Sequence, residues 1–186
     1  MDTEYNMHIQ KHTWDLVLAT PEMNVMDSMW VYDIKWDGDG NRVRDKARLV
    51  GKDYTQQLRI NYNETWVAVT RLESVRMMAA IAASMDLHLW QIDFVSAYLN
   101  SKTKEDIYMH QLEGYAIPGE EDKVCKLVHT IYGTMQGAYD WFEMLAKMYD
   151  DLGYYMSQAD PCVRTKWEED GSFTITDTYM DDVWGT

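Results

Sequence analysis

Two apolar runs in this chain end on bare carboxylates: Leu87-His-Leu-Trp-Gln-Ile-Asp93, and Phe173-Thr-Ile-Thr-Asp-Thr-Tyr-Met180, which runs straight into Asp181 and Asp182. Both alternate as strands do. A carboxylate at the end of a central strand loses water, and that is tolerated mainly where a cation binds. Asp93, Asp181 and Asp182, delivered by neighbouring strands, would suit two Mg²⁺ ions about 3.5–4 Å apart, a pair that activates one oxygen and stabilises the leaving one in phosphoryl transfer. The alternative for each residue taken alone is an exposed loop aspartate.

Charge narrows the setting. The 186 residues carry 17 Lys+Arg against 31 Asp+Glu, a formal net charge of −14. A surface of that sign repels phosphate backbones, so a nucleic-acid role has to rest on a local basic site. One candidate exists. Met29–Trp36 and Arg42–Val50 flank Asp37-Gly-Asp-Gly40 as strand, turn and strand. In the second strand Arg42, Arg44, Lys46 and Arg48 recur every two residues, and that period places all four on one face. A solvated face with cross-strand partners such as Asp33 is the competing explanation.

The remaining elements read as α+β. Residues 1–25 lack a clear period and are expected to form an irregular arm, with a short strand at Trp14–Leu18; residues 26–186 form the second division. Arg71–Met85 reads as a helix capped by Thr70, with Glu73 completing a capping box. Val95–Asn100 turns compactly, and Ile107–His110 pairs with Lys123–Leu127. Gln136–Leu152 is a second helix ended by Gly153, and Cys162–Lys166 forms a hairpin with Phe173–Met180. Cys125 and Cys162 stand apart without zinc-ligand spacing, which suits buried free thiols in a reducing compartment. The most apolar stretch, Met77–Ala83, falls far short of the about 20 residues of a membrane span, so no membrane partner is expected.

Tyr179-Met-Asp-Asp182 matches the Tyr-x-Asp-Asp signature of reverse transcriptases, and Asp93-Phe-Val-Ser-Ala-Tyr98 resembles their first catalytic motif. Lys46-Ala-Arg-Leu-Val50, Tyr62-Asn-Glu-Thr65, Leu99-Asn100, Ile107-Tyr-Met109, Glu113-Gly-Tyr115, Val124-Cys-Lys-Leu127, Tyr132-Gly133, Gln136 and Trp141 follow in the order and spacing of the copia-type (Pseudoviridae) retrotransposon polymerase. The resemblance runs from about Trp14 to Gly185. It implies a right-hand polymerase fingers/palm fold truncated before the thumb, an RNA-directed DNA polymerase activity, and two Mg²⁺ ions, with Mn²⁺ as a possible substitute. Asp93, Asp181 and Asp182 would hold the metals. Lys46 or Arg48 would neutralise the triphosphate. The backbone at Ser96 and Ala97 would face it, Tyr98 would exclude a ribose 2′-hydroxyl, and Gln136 would lie near the nucleotide sugar and template; ordinary core packing is the alternative for Tyr98 and Met180. Tyr179 and Met180 would border the primer terminus. Partners would be an RNA or DNA template-primer, deoxynucleoside triphosphates, and the thumb, RNase H and integrase parts of a Pol polyprotein. The location would be cytoplasmic, in the virus-like particle of the parent element, or nuclear.

The chain also departs from the family pattern. Lys52-Asp-Tyr54, Arg59, Asn61 and Gln111-Leu-Glu-Gly114 replace residues that are usually glycine, aspartate or proline. Gly133-Thr-Met-Gln-Gly-Ala-Tyr-Asp-Trp141 lacks the cations usual at Met135 and Tyr139, which weakens nucleic-acid binding. Two alternatives therefore stand beside an active polymerase: a catalytically inactive relic or nucleic-acid-binding fragment, and an unrelated two-metal hydrolase. The resemblance also leads to the expectation that the strand bearing the Asp pair lacks its hairpin partner, since only Val183–Thr186 follow.

Overall fold

A computed structural model describes residues 1–52, 67–134 and 136–186. The Tyr62–Thr65 motif and the departures at Asp53, Tyr54, Arg59, Asn61 and Met135 lie outside the described residues. The chain divides into two compact units, Met1–Thr65 with Tyr98–Asp140, and Trp66–Ala97 with Trp141–Thr186.

In the first unit α1 (Asp2–Gln10) precedes β1 (Trp14–Leu18), β2 (Val25–Met26), β3 (Ser28–Trp36) and β4 (Arg42–Gly51), and β6 (Tyr108–Met109) and β7 (Lys123–Leu127) complete it. The strands form a four-stranded sheet in the order β1-β7-β6-β2 and a separate β3-β4 ladder. Met26, Leu49, Leu99, Ile107, Met109, Leu112, Cys125, Leu127 and Ile131 are buried together as its core. The arm expected to be irregular thus contains a helix. Tyr5 and Met7 of α1 pack against that core, and Tyr5 stacks on Tyr115 with ring centroids 4.2 Å apart. The helix has little amphipathic pattern of its own, so its stability comes from tertiary packing.

Burial of α1 also creates an acid-sensitive point. His8 is 2% exposed, and its Nδ1 lies 3.2 Å from the Thr13 hydroxyl. Burial lowers its pKa from 6.5 to about 4. The unfolded chain therefore binds the proton more tightly, and the His8 contribution, about 3 kcal/mol, is present above pH 6.5 and lost as pH falls toward 4. Glu4 and Asp177, whose carboxyls are pushed up by burial, act in the opposite direction. Comparing urea midpoints of the native chain and His8→Leu across that window isolates the term. The native protein should lose stability on acidification more steeply than the variant, and parallel curves would refute the assignment.

The second unit holds α2 (Leu72–Met85), β5 (Trp90–Asp93), most of α3 (Gly137–Asp151), β8 (Tyr155–Met156), β9 (Val163–Trp167), β10 (Phe173–Tyr179) and β11 (Asp182–Gly185). Its sheet runs β5-β11-β10-β9-β8, every pair antiparallel. Met78 of α2 packs on Val163 and Ile175, while Leu145 and Tyr149 of α3 are buried. Gly153 ends α3 at φ 81 in the left-handed region. Cys125 and Cys162 are free and buried, their thiols pushed up to about 12 by burial.

Three local expectations are corrected. The residue capping α2 is Arg71, with no side-chain cap of its own, rather than Thr70. The Thr70 hydroxyl donates to Asp177 instead. Asp160 supplies the cap from another strand connection, accepting the Arg71 amide at 3.1 Å and the Ser74 hydroxyl at 2.6 Å. Burial raises the Asp160 carboxyl, but these donors and the Cys162 amide outweigh it and hold the group below its usual range.

The hairpin partner expected to be missing is present. Four residues suffice: β11 pairs with β10 from Tyr179↔Asp182 to Thr176↔Gly185, and its other edge pairs with β5. Finally, the basic face is shorter than the period suggests. The β3-β4 register skips Val43 between Lys35↔Arg44 and Trp36↔Arg42, and Arg42 turns into a bidentate ion pair with Asp45. A bulge breaks strict alternation. Arg44, Lys46 and Arg48 keep it.

Candidate active site

The β10-β11 hairpin positions the acidic residues. Tyr179 and Asp182 close it, leaving Met180 and Asp181 as a two-residue turn. Met180 has φ 54, a left-handed conformation in which glycine is the usual first residue of such turns. It is held there by Trp141, which is 2% exposed and whose indole N–H donates to the Met180 carbonyl at 2.8 Å. Phe94 packs edge-on against the Trp141 ring, 5.2 Å between centroids. Its amide donates to the Asp181 carbonyl at 2.9 Å. Trp141 figures in the sequence as an apolar position of the Gln136–Leu152 helix and as one spaced motif residue. Its role in fixing the turn was not legible, because the contact joins residues 39 apart.

Antiparallel pairing sets Asp182 directly opposite Asp93, but β5 is the edge strand of its sheet and exposed throughout, so Asp93 keeps its water, against the expectation of a carboxylate ending a central strand. Opposed residues share a face with Cβ atoms about 4.5–5.5 Å apart, and two like charges so placed are destabilising unless a cation lies between them. Asp181 follows in the adjoining turn. The oxygen-only donor set suits a hard dication such as Mg²⁺. The side chains do not close into a ready cage: among the described residues no group of three His, Cys, Asp or Glu stands close enough to hold an ion. Asp182 Oδ1 instead accepts from Gln91 Nε2 at 3.0 Å. Next along the chain, Ser96 takes φ 52 and Ala97 is fully buried. Tyr179 and Met180 are about half exposed, at 48% and 49%.

The other sequence-picked residues, Lys46, Arg48, Tyr98 and Gln136, belong to the first unit. Lys46 stands opposite Asp33, but that aspartate pairs with Lys35 at 3.0 Å. Burial, and then the like charges of Arg48, Lys35 and Arg44, hold the Lys46 ammonium below its usual range. A group of cations that outnumbers its counter-charges among the described residues is suited to an anion. The Tyr98 ring tilts against Tyr132, 4.5 Å between centroids, and its carbonyl accepts the Thr130 hydroxyl at 2.6 Å. Gln136 is 3% exposed, and neither side-chain amide atom has a hydrogen-bond partner among the described residues. Leaving a buried amide unpaired costs about 1–3 kcal/mol, which a ligand could recover.

The second unit thus carries an antiparallel sheet with Asp182 opposite Asp93 beside a strained two-residue turn, and the first unit carries a strand rich in cations. Residues 11–186 match the family described as reverse transcriptase (RNA-dependent DNA polymerase), and the chain belongs to it. Over 176 residues it is 35% identical to the retrovirus-related Pol polyprotein from transposon TNT 1-94 of Nicotiana tabacum, covering 94% of this chain and 13% of that polyprotein. The corresponding polyprotein from transposon RE1 of Arabidopsis thaliana is 30% identical over 184 residues, 98% of this chain and 12% of the relative. That from RE2 of the same plant is 32% identical over 161 residues, 86% and 11%. The chain therefore spans about an eighth of the length of these copia-type relatives. No solved structure matches.

Proposed function

We propose that this chain is the fingers and part of the palm of an RNA-directed DNA polymerase, working within a copia-type Pol polyprotein. The observation that carries the reading is the Asp93↔Asp182 register beside the Met180-Asp181 turn. Two divalent ions held by Asp93, Asp181 and Asp182 would supply the activation of the primer hydroxyl and stabilisation of departing pyrophosphate. The chain's own contributions are separate. Lys46 or Arg48 neutralises the triphosphate of a deoxynucleotide, the Tyr98 ring occupies the space a 2′-hydroxyl needs, and Gln136 lies near the nucleotide sugar and template. Tyr179 and Met180 border the primer end, with Trp141 holding that turn in place. Ser96 and Ala97 present backbone to the phosphates. Template-primer, the thumb, RNase H and integrase parts of the polyprotein, and a cytoplasmic particle or the nucleus complete the setting.

The second reading, a non-catalytic relic, is favoured by the engagement of Asp182 with Gln91. Primer extension on an RNA template, with Mg²⁺ or Mn²⁺, decides between them. Extension by the native chain is expected to fall by about a hundredfold or more in Asp93→Asn and Asp181→Asn, as loss of a metal-ligating carboxylate implies. Asp93→Asn should at the same time raise the unfolding free energy, read from urea denaturation, by about a few tenths of a kcal/mol, because it relieves the like-charge pair with Asp182. Native and variant chains that are equally inactive would leave the relic reading, or a piece that works only together with the thumb of its polyprotein. Phosphodiester cleavage without nucleotide addition would point to the hydrolase.

A further inference from the structure

The second unit holds a cavity to which neither the metal nor the nucleotide assignment gives a role. Strand register builds one wall. Asp177 pairs with Trp184 and Tyr179 with Asp182, so alternation sets these side chains on one face of the β10-β11 hairpin. α2 builds the other wall. Met78 seats that helix on Val163 and Ile175, and Ile175 shares the strand face of Asp177. The first turn of α2 then brings Leu72 and Val75 to the cavity, with Thr70 just ahead of the helix. The space between the walls has a volume of about 260 Å³. Drug-sized sites run from about 300 to 1,000 Å³, so this one suits a single ring with a short substituent.

Two needs are left open in the cavity. Leu72, Tyr179 and Trp184 are large apolar side chains that the chain's own packing leaves exposed. Asp177, in contrast, is 3% exposed; its Oδ1 accepts the Thr70 hydroxyl, and its Oδ2 has no hydrogen-bond partner among the described residues. Burial raises this carboxyl against the Thr70 bond, and the charge of Asp160 raises it further. A buried carboxylate oxygen without a donor is costly, and whatever brings it a donor recovers that cost. Asp182 on the same wall is less demanding, because its Oδ1 already accepts from Gln91.

We propose that this cavity is a binding site for a small aromatic cation, of the aryl amidine or arylalkyl ammonium class, whose ring lies among Leu72, Val75 and Trp184 and whose N–H group donates to Asp177 Oδ2. Complementarity selects the class. Uncovered apolar side chains are matched by an apolar body, and the unpaired oxygen by a donor that carries positive charge. The Trp184 ring offers such a ligand an aromatic partner. The site needs neither Asp93 nor Asp181, so it stands apart from the metal assignment.

The probe is benzamidine, titrated calorimetrically into the full 186-residue chain, with benzamide as its neutral counterpart of similar shape. The native chain should bind benzamidine about tenfold tighter than benzamide, the share of one charge-assisted hydrogen bond. Asp177→Asn keeps a carbonyl oxygen for the Thr70 hydroxyl and loses the charge. It should fold like the native chain and bind the two probes alike. Val75→Phe fills the space from a partly exposed helix position and should abolish binding of both, with helix content unchanged. Equal affinity of the native chain for the two probes, or an amidine preference that survives Asp177→Asn, overturns the assignment. Undiminished binding to Val75→Phe also overturns it, placing the cation on the acidic surface instead. No binding by the native chain overturns it too, and leaves the cavity to an apolar segment of the polyprotein.

Discussion

Gly133→Ala is expected to remove most of the stability of the first unit. Gly133 sits at φ 84, and a Cβ built there would lie 2.3 Å from the Gly51 carbonyl oxygen and 2.6 Å from Val50 Cγ1. The two chain segments are hydrogen-bonded at this crossing, the Gly51 amide donating to the Tyr132 carbonyl at 2.7 Å. A left-handed alanine costs about 1–2 kcal/mol by itself. Overlap with a backbone oxygen cannot be relieved by a rotamer change, so the segments must part and give up their hydrogen bond. A loss above about 4 kcal/mol follows, close to the whole stability of an ordinary domain. Gly153→Ala separates the two causes: Gly153 has φ 81, but the nearest atom to its Cβ would be Lys166 Cε at 3.8 Å. That variant should lose only the conformational share. Urea midpoints measure both, and equal losses at the two positions would show that the close approach of Gly133 to Gly51 is not tight.

The second large effect concerns Trp141. Trp141→Phe retains a ring against Phe94 and loses the donor to the Met180 carbonyl, which should cost about 1–2 kcal/mol. Trp141→Ala adds a cavity at a 2% exposed site and should cost about 3–5 kcal/mol. Any extension activity should drop already in the Phe variant, because the carbonyl that fixes the left-handed Met180 then has no indole holding it. Thermal melts of the three proteins give the stabilities. A Phe variant as stable as the native chain would mean that the turn holds itself.

These two positions illustrate what a linear reading can and cannot reach. Tyr132-Gly133 and Trp141 are visible in the sequence as spaced residues of a resemblance, but spacing carries no reason for them. Gly133 is required because another backbone passes within contact distance, and Trp141 because it reaches a turn 39 residues away. The helix α1 was missed for a related reason. Its residues lack a strong amphipathic period, and only the core that Tyr5 and Met7 meet makes it form. The cap of α2 was assigned to the nearest suitable hydroxyl, Thr70. A more distant carboxylate, Asp160, took the position because it satisfies the Arg71 amide and the Ser74 and Cys162 donors at once.

The chain by itself determined its longer strands, both long helices and the acidic ends of β5 and β10, though not the short β2, β8 and β11, because alternation, helical spacing and glycine turns are local properties written one residue after another. It also determined family membership through the order of its motifs. Only the tertiary structure decided that Asp182 faces Asp93, that Arg42 leaves the basic row for Asp45, and that Asp160 caps α2. Each of these depends on strand register or on the packing of distant segments. Register and packing are fixed by the whole set of buried side chains and hydrogen bonds together, so no window of sequence contains them.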